Sequence, residues 1–171
     1  MIDGFDKSEC ISIIEYANLF GKKHITQFSD DLSPEILNYN YTFIERNIQT
    51  QWMFDKFSEY LITRFPNNKL KSHDVINLHE FPTGGKFNKH IDVHREADYY
   101  LIIGCVLNSD YTGGKLTAYN PDKEDLCEHQ GHFYEMFATR PHEVTRIMSG
   151  VRYSLVLFLT RETLGIPQTI I

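Results

Sequence analysis

Apolar positions change their period near residue 70. Before it they recur at helical spacing. From about Lys7 to Phe20, Ile11, Ile14 and Ala17 share one helical face. A second helix is predicted over about Asn47 to Phe65, where Ile48, Trp52, Met53, Phe57, Tyr60 and Leu61 form one apolar stripe suited to packing on a sheet. Pro66-Asn67-Asn68 ends it, since proline and asparagine favour turns over helix continuation. After residue 70 the apolar segments shorten and become rich in Ile, Val, Tyr and Phe. Strands are predicted over 74–81, 99–107, 115–119, 132–137, 142–147 and 151–159. Gly84-Gly85, the run from Asp110 to Gly114, and Ser149-Gly150 punctuate them. Short strands in series predict an α+β fold, mainly β: two packed antiparallel sheets in a jelly-roll-like barrel. The helices arriving first would cover one sheet from outside.

Composition narrows the picture. With 171 residues, 42% hydrophobic and 13% aromatic, the chain has material for one core and reads as a single domain, helical to about residue 70 and β-barrel over about 71–165. No repeat or linker-like stretch interrupts it. The net charge of −6 lacks the basic surplus of a phosphate-tracking surface, so no nucleic-acid partner is expected. Cys10, Cys105 and Cys127 have no metal-type or redox-type spacing and read as thiols of a reducing compartment. The N-terminus lacks the order of a signal peptide, and no apolar run approaches the roughly 18 residues a membrane helix needs. The expectation is a cytoplasmic protein with no membrane contact.

The chemistry concentrates in two segments. One runs from Phe81 through Gly84-Gly85 to His90-Ile91-Asp92; the other runs from His142 through Ser149-Gly150 to Arg152-Tyr153-Ser154. Alternate residues of a strand share a face, so His90 and Asp92 can aim a nitrogen and an oxygen at one ion. Alone, the pair reads as a surface His–Asp hydrogen bond. His142 adds a second imidazole, and two His with one carboxylate are the ligand set of non-haem Fe(II) oxygenases. Arg152 sits in the apolar run Val151 to Leu159, where a cation is costly unless an anion meets it. That anion is either a ligand or an internal acid. Arg152 and Ser154 share a strand face and would cradle a carboxylate. The Ser149-Gly150 turn predicts a hairpin that returns Arg152 towards His142. Of the other histidines, His94 reads as pocket rim or solvated, and His132 as a supporting or core residue. His24, His73, His79 and His129 carry no context. The loops 29–42, 93–99 and 120–130 are the candidates for substrate choice. Tyr39 and Tyr41 would stack on a ligand or simply pack. The acidic run Asp122, Glu124, Asp125 and Glu128 would greet a basic peptide or form a solvated face.

From Asn77 to Arg161 the chain resembles the Fe(II)- and 2-oxoglutarate-dependent dioxygenases, and among them the prolyl 4-hydroxylase-like branch. The matching pieces are Gly84-Gly85-Lys86-Phe87-x-x-His90-x-Asp92, Tyr111-Thr112-Gly113-Gly114-Lys115-Leu116, Gly131, and His142-Glu143-Val144-x-x-Ile147-x-Ser149-Gly150-x-Arg152-Tyr153-Ser154-Leu155. The resemblance implies a double-stranded β-helix. It implies that His90, Asp92 and His142 hold Fe(II) and that Arg152 pairs with the distal carboxylate of 2-oxoglutarate. It also implies O2 as oxidant, ascorbate as accessory, and succinate and CO2 as products. The implied reaction is hydroxylation of a C–H bond, first of a peptidyl proline, then of a free amino acid or other small molecule. Two positions depart from the branch. It usually has Lys at Arg152, and many relatives have Tyr at Phe81, whose ring offers no hydrogen bond. Ser154 is a candidate to supply the missing donor. Rival readings are a nucleobase dealkylase, a cupin-type metal-dependent hydrolase or isomerase, and a non-catalytic metal-binding or metal-free β-barrel module.

Overall fold

Asp6 opens the first helix. Its carboxylate accepts from the Glu9 N–H and the Glu9 carboxylate accepts from the Asp6 N–H, each at 2.8 Å, so two otherwise orphaned amides are satisfied. The computed structural model describes residues 4–25, 39–92, 98–126 and 129–167. In chain order the elements are α1 (Lys7–Phe20), β1 (Lys23–Ile25), β2 (Asn40–Ile44), α2 (Gln51–Arg64), β3 (Val75–Phe81), β4 (Phe87–His90), β5 (Tyr99–Val106), β6 (Thr112–Gly113), β7 (Leu116–Ala118), β8 (Glu124–Leu126), β9 (Tyr134–Phe137), β10 (His142–Val144), β11 (Ile147–Ser149) and β12 (Arg152–Thr160).

The helices bury stripes shifted from the predicted ones. In α1 the buried residues are Cys10, Ile13 and Ala17, while Ile11 is 46% exposed. Cys10 behaves as a small hydrophobe and takes the place expected for Ile11. α2 starts later than predicted, because Asn47 to Thr50 form a turn in which the Asn47 side chain accepts from the Gln49 and Thr50 amides. Ile48 therefore lies outside the helix and is 96% exposed, and Phe54 is buried in the stripe instead. The helix stops at Arg64 with Phe65 as its cap, and Asn67 beyond it adopts a left-handed conformation.

The large sheet has the order β1-β2-β3-β12-β5-β9 with antiparallel neighbours. Its outer face packs on both helices: Ile76, Leu78, Leu101, Ile103, Leu155, Leu157 and Leu159 join Ile13, Met53, Phe57 and Leu61 in one core. The smaller sheet has the order β4-β10-β7-β8, and β6 and β11 form a separate pair. A second core joins the sheets, with Phe81 of the large one against Leu116 and Val144 of the small one. Among the described residues no helix is long and apolar enough to cross a membrane.

Two expectations are corrected here. The predicted strand 142–147 is two strands, and the expected hairpin does not form. β10 pairs β4 and β7, β11 pairs β6, and β12 pairs β3 and β5. Within the acidic run Asp122 and Glu124 are exposed, as a solvated face would be, but two of its acids are paired. Glu124 and Asp125 belong to β8, where Asp125 accepts from Lys115 and Thr117 and Glu124 pairs with Arg140. Their counter-charges, Lys115 and Arg140, lie outside the acidic run. Cys10 and Cys105 are buried thiols. Cys127, Glu128, His94 and loop residues 29–38 and 93–97 lie outside the described residues.

Candidate metal centre and its cavity

Strand alternation turns the inner face of the large sheet towards the small one, and the space between is a cavity of about 580 Å³. β12 shows the division most clearly. Leu155, Leu157 and Leu159 face the helices, while Arg152, Ser154, Val156 and Phe158 line the cavity. β3 does the same, with Ile76 and Leu78 outward and Asn77, His79 and Phe81 inward.

On the opposite wall, His142 of β10 pairs in register with His90 of β4. Their rings lie 4.3 Å apart between centroids. Asp92 is just beyond β4 rather than on it, so the strand argument for its direction does not apply. Its direction is set by its amide, which donates to the carbonyl of Ala138 at 2.8 Å. The carboxylate then meets both imidazoles: Oδ1 is 3.4 Å from His90 Nε2 and Oδ2 is 3.3 Å from His142 Nε2. One ligand atom from each of the three lies within 4.8 Å of the others. Among the described residues this is the sole such cluster of metal-binding side chains.

The backbone orients both rings. His90 Nδ1 is 2.7 Å from the Asn88 carbonyl and His142 Nδ1 is 2.9 Å from the Arg140 carbonyl. A carbonyl only accepts, so each Nδ1 carries a hydrogen and donates it, and each Nε2 faces the centre, where it meets Asp92. Burial pushes the Asp92 carboxyl up, but hydrogen bonds from His142 and His90 outweigh it and hold the group well below the usual carboxylate range. Burial pulls His142 down, but the Asp92 carboxylate outweighs it and raises the ring. A centre that holds a negative charge so firmly, beside two imidazoles with matched nitrogens, suits a divalent ion.

Arg152 is 2% exposed. Its Nη1 donates to Ser154 Oγ at 3.0 Å, and its plane lies over Phe81 at 5.6 Å. Its Nε has no hydrogen-bond partner, and among the described residues no carboxylate neutralises it. A buried guanidinium with an orphaned donor is a costly arrangement unless an anion completes it. Gly114 makes room for the arginine. A Cβ there would overlap Ile147 Cδ1 and lie 3.1 Å from Arg152 Cδ, and the backbone φ of +63° suits glycine. This gives a packing reason for the second glycine of Tyr111-Thr112-Gly113-Gly114.

No family model and no curated protein matches the sequence. Solved structures do match. A prolyl-4-hydroxylase from Pseudomonas putida superposes with a TM-score of 0.71 at 15% identity, covering 94% of this chain and 91% of that one. A prolyl hydroxylase from Trichoplax adhaerens, in complex with a peptide fragment of the hypoxia inducible factor oxygen degradation domain, gives 0.70 at 16% identity over 98% and 86%. The viral collagen prolyl hydroxylase of Paramecium Bursaria Chlorella virus-1, a 2OG complex, gives 0.66 at 16% over 92% and 92%. The fold is that of the prolyl hydroxylases.

Within this fold the remaining sequence candidates separate. Tyr39 and Tyr41 line the cavity, and Tyr39 packs on Phe81 with centroids 4.9 Å apart. Burial and the nearby Asp92 charge push the Tyr39 hydroxyl above its ordinary range, so it stays protonated. Ser154 is buried beside Arg152. His132 does not line the cavity; its ring lies 5.6 Å from that of His129. His79 is the residue that sequence reasoning passed over. It faces the cavity, and burial pulls its pKa to about 4, leaving a neutral ring. The signal was the polar pair Asn77 and His79 alternating with the apolar Ile76 and Leu78.

Proposed function

We propose that this chain is a single-domain Fe(II)- and 2-oxoglutarate-dependent dioxygenase that hydroxylates a peptidyl proline, its two facing sheets forming a double-stranded β-helix. The observation that carries the reading is the convergence of His90, Asp92 and His142 within 4.8 Å in the cavity that also holds the unneutralised Arg152. His90 Nε2, His142 Nε2 and one Asp92 oxygen would hold the iron. This facial set leaves other positions open for a chelating ligand and O2. Bound there, Fe(II) with 2-oxoglutarate supplies oxidative decarboxylation, which turns 2-oxoglutarate, O2 and a substrate C–H into succinate, CO2 and a C–OH.

The chain's own residues position and shield. Arg152 and Ser154 cradle the distal carboxylate by charge and hydrogen bond. The carbonyls of Asn88 and Arg140 fix the tautomers of the two ligand rings. Phe81, Val144, Leu116 and Ile102 keep the cavity apolar and so limit water at the centre. Apart from the His90, Asp92 and His142 centre and Arg152, the described lining is uncharged or, at His79, neutral. It offers no counter-ion for the ammonium and carboxylate of a free amino acid. A prolyl residue within a peptide has neither charge, which favours the peptide. The peptide seen in the Trichoplax relative supports the same choice.

The test is succinate release in the presence of Fe(II), 2-oxoglutarate and ascorbate, with proline-containing peptides against free amino acids. The expected result is peptide-stimulated turnover that Asp92→Ala and His142→Ala abolish together with metal binding. Turnover retained in either variant overturns the ligand assignment. Stimulation by free amino acids and not by peptides overturns the substrate choice. Tight iron binding without succinate under any condition would make the chain a metal-binding module instead.

A further inference from the structure

His79 lies midway along the inner face of β3, and its register partner on β12 is Ser154. The adjacent inward pair in the same ladder is Phe81 with Arg152. Four charged or chargeable groups act on the His79 ring: Asp92, Arg152, His90 and His142. The imidazole is therefore within electrostatic reach of both the carboxylate-and-histidine centre and the buried guanidinium. Its ring packs against aromatic rather than polar neighbours, 5.2 Å from Tyr39 and 6.3 Å from Phe81 between centroids. No hydrogen bond from a described residue engages either ring nitrogen. A neutral imidazole carries one N–H donor and one acceptor, and at this half-buried position on the cavity wall both are available to a ligand. Phe81, the inward residue that faces Arg152, has no donor to give.

We propose that His79 binds the co-substrate, its ring N–H donating to the carboxylate held by Arg152 and Ser154 in place of the hydrogen bond that Phe81 does not make. The inference rests on the 2-oxoglutarate reading above and adds a binding residue to it. The cradle then has three parts from two paired strands: a guanidinium, a hydroxyl and an imidazole.

The test is anaerobic titration of the Fe(II)-loaded protein with 2-oxoglutarate, followed by its visible charge-transfer absorbance and by calorimetry. The parallel ligand is 2-oxobutanoate, which keeps the chelating 2-oxo acid but lacks the distal carboxylate. His79→Phe removes the donor and is expected to raise the Kd for 2-oxoglutarate about 10- to 100-fold. His79→Gln keeps an N–H and is expected to stay within about threefold of wild type. Binding of 2-oxobutanoate is expected to be equal in all three proteins. His79→Leu gives the same comparison where the phenylalanine variant does not fold. An apolar variant that binds 2-oxoglutarate as wild type does, or that loses 2-oxobutanoate equally, overturns the assignment. Absence of 2-oxoglutarate binding in the wild type is a separate outcome: it sinks the oxygenase reading itself.

Discussion

Arg152→Met separates the reading of Arg152 as a waiting ligand site from the reading of it as a structural cation. In the ligand-free protein the guanidinium is 2% exposed, makes one hydrogen bond to Ser154 and leaves Nε without an acceptor. The orphaned donor costs about 1–3 kcal/mol, while the bond to Ser154 returns about 1 kcal/mol. Removing an uncompensated buried charge acts in the same direction as removing the orphan. Methionine fills a similar path through the wall without either cost. The ligand-free variant is therefore expected to be more stable than wild type by about 1–2 kcal/mol, or roughly 2–8 °C in Tm for a chain of this size. Thermal unfolding followed by circular dichroism reads this directly. Added 2-oxoglutarate with a divalent metal is expected to raise the Tm of wild type well beyond that of the variant, because only wild type can pair with the distal carboxylate. A ligand-free variant that melts below wild type would show that the arginine already has a stabilising partner. The argument for an anion at this position would then fail.

Three further outcomes follow from the packing and the charges. Gly114→Ala introduces a Cβ that overlaps Ile147 and crowds Arg152 at a positive φ, and a loss of about 2–4 kcal/mol in urea unfolding is expected; a loss below about 1 kcal/mol would mean that Gly114 does not shape the arginine's seat. Ile48→Glu, at a 96% exposed position, is expected to change stability by less than about 0.5 kcal/mol, whereas Phe54→Ala, at 2% exposure, is expected to cost about 3–5 kcal/mol; the reverse order would restore the helix boundary expected from sequence. Burial raises the Asp74 carboxyl above its ordinary 3.8, against hydrogen bonds from Lys71 and Thr163 that lower it. The folded chain thus keeps this proton to higher pH than the unfolded chain, and stability declines as pH rises from about 3.8 through the folded value. Asp74→Asn should flatten that decline in urea unfolding between pH 4 and pH 7, and an unchanged slope would refute the assignment.

The parts legible in sequence were those governed by local rules. α1 was bounded correctly because its start and its polarity pattern are both local. β3, β5 and β12 announced themselves as long β-branched and aromatic runs. What sequence concealed depended on pairing. β2 sits next to a segment rich in polar residues and reads as loop, although its Thr42 and Ile44 are buried. β8 reads as part of an acidic loop because Lys115 and Arg140, which pair with its acids, lie outside that run. The Ser149-Gly150 turn was visible, but whether its flanks pair with each other is a tertiary matter, and β6 takes β11 instead. The three residues His90, Asp92 and His142 were legible as chemistry but not as geometry. Sequence spacing suggested a strand pair for the first two, whereas the amide of Asp92 is held by Ala138 from the other sheet's margin. His79 was less hidden: the alternation of Asn77 and His79 with Ile76 and Leu78 marked one face of β3 as polar, and the ladder with β12 places that face inward beside Ser154.

β12 carries leucines to one side and Arg152 and Ser154 to the other. A slip of one residue would thrust leucines into the cavity and bury the arginine among helices at the same instant. No intermediate alignment preserves half of the arrangement. Detachment of the helical layer and loss of the Arg152 and Ser154 pairing are thus expected as one cooperative event, with the strand acting as the common spine of the core and the cavity wall.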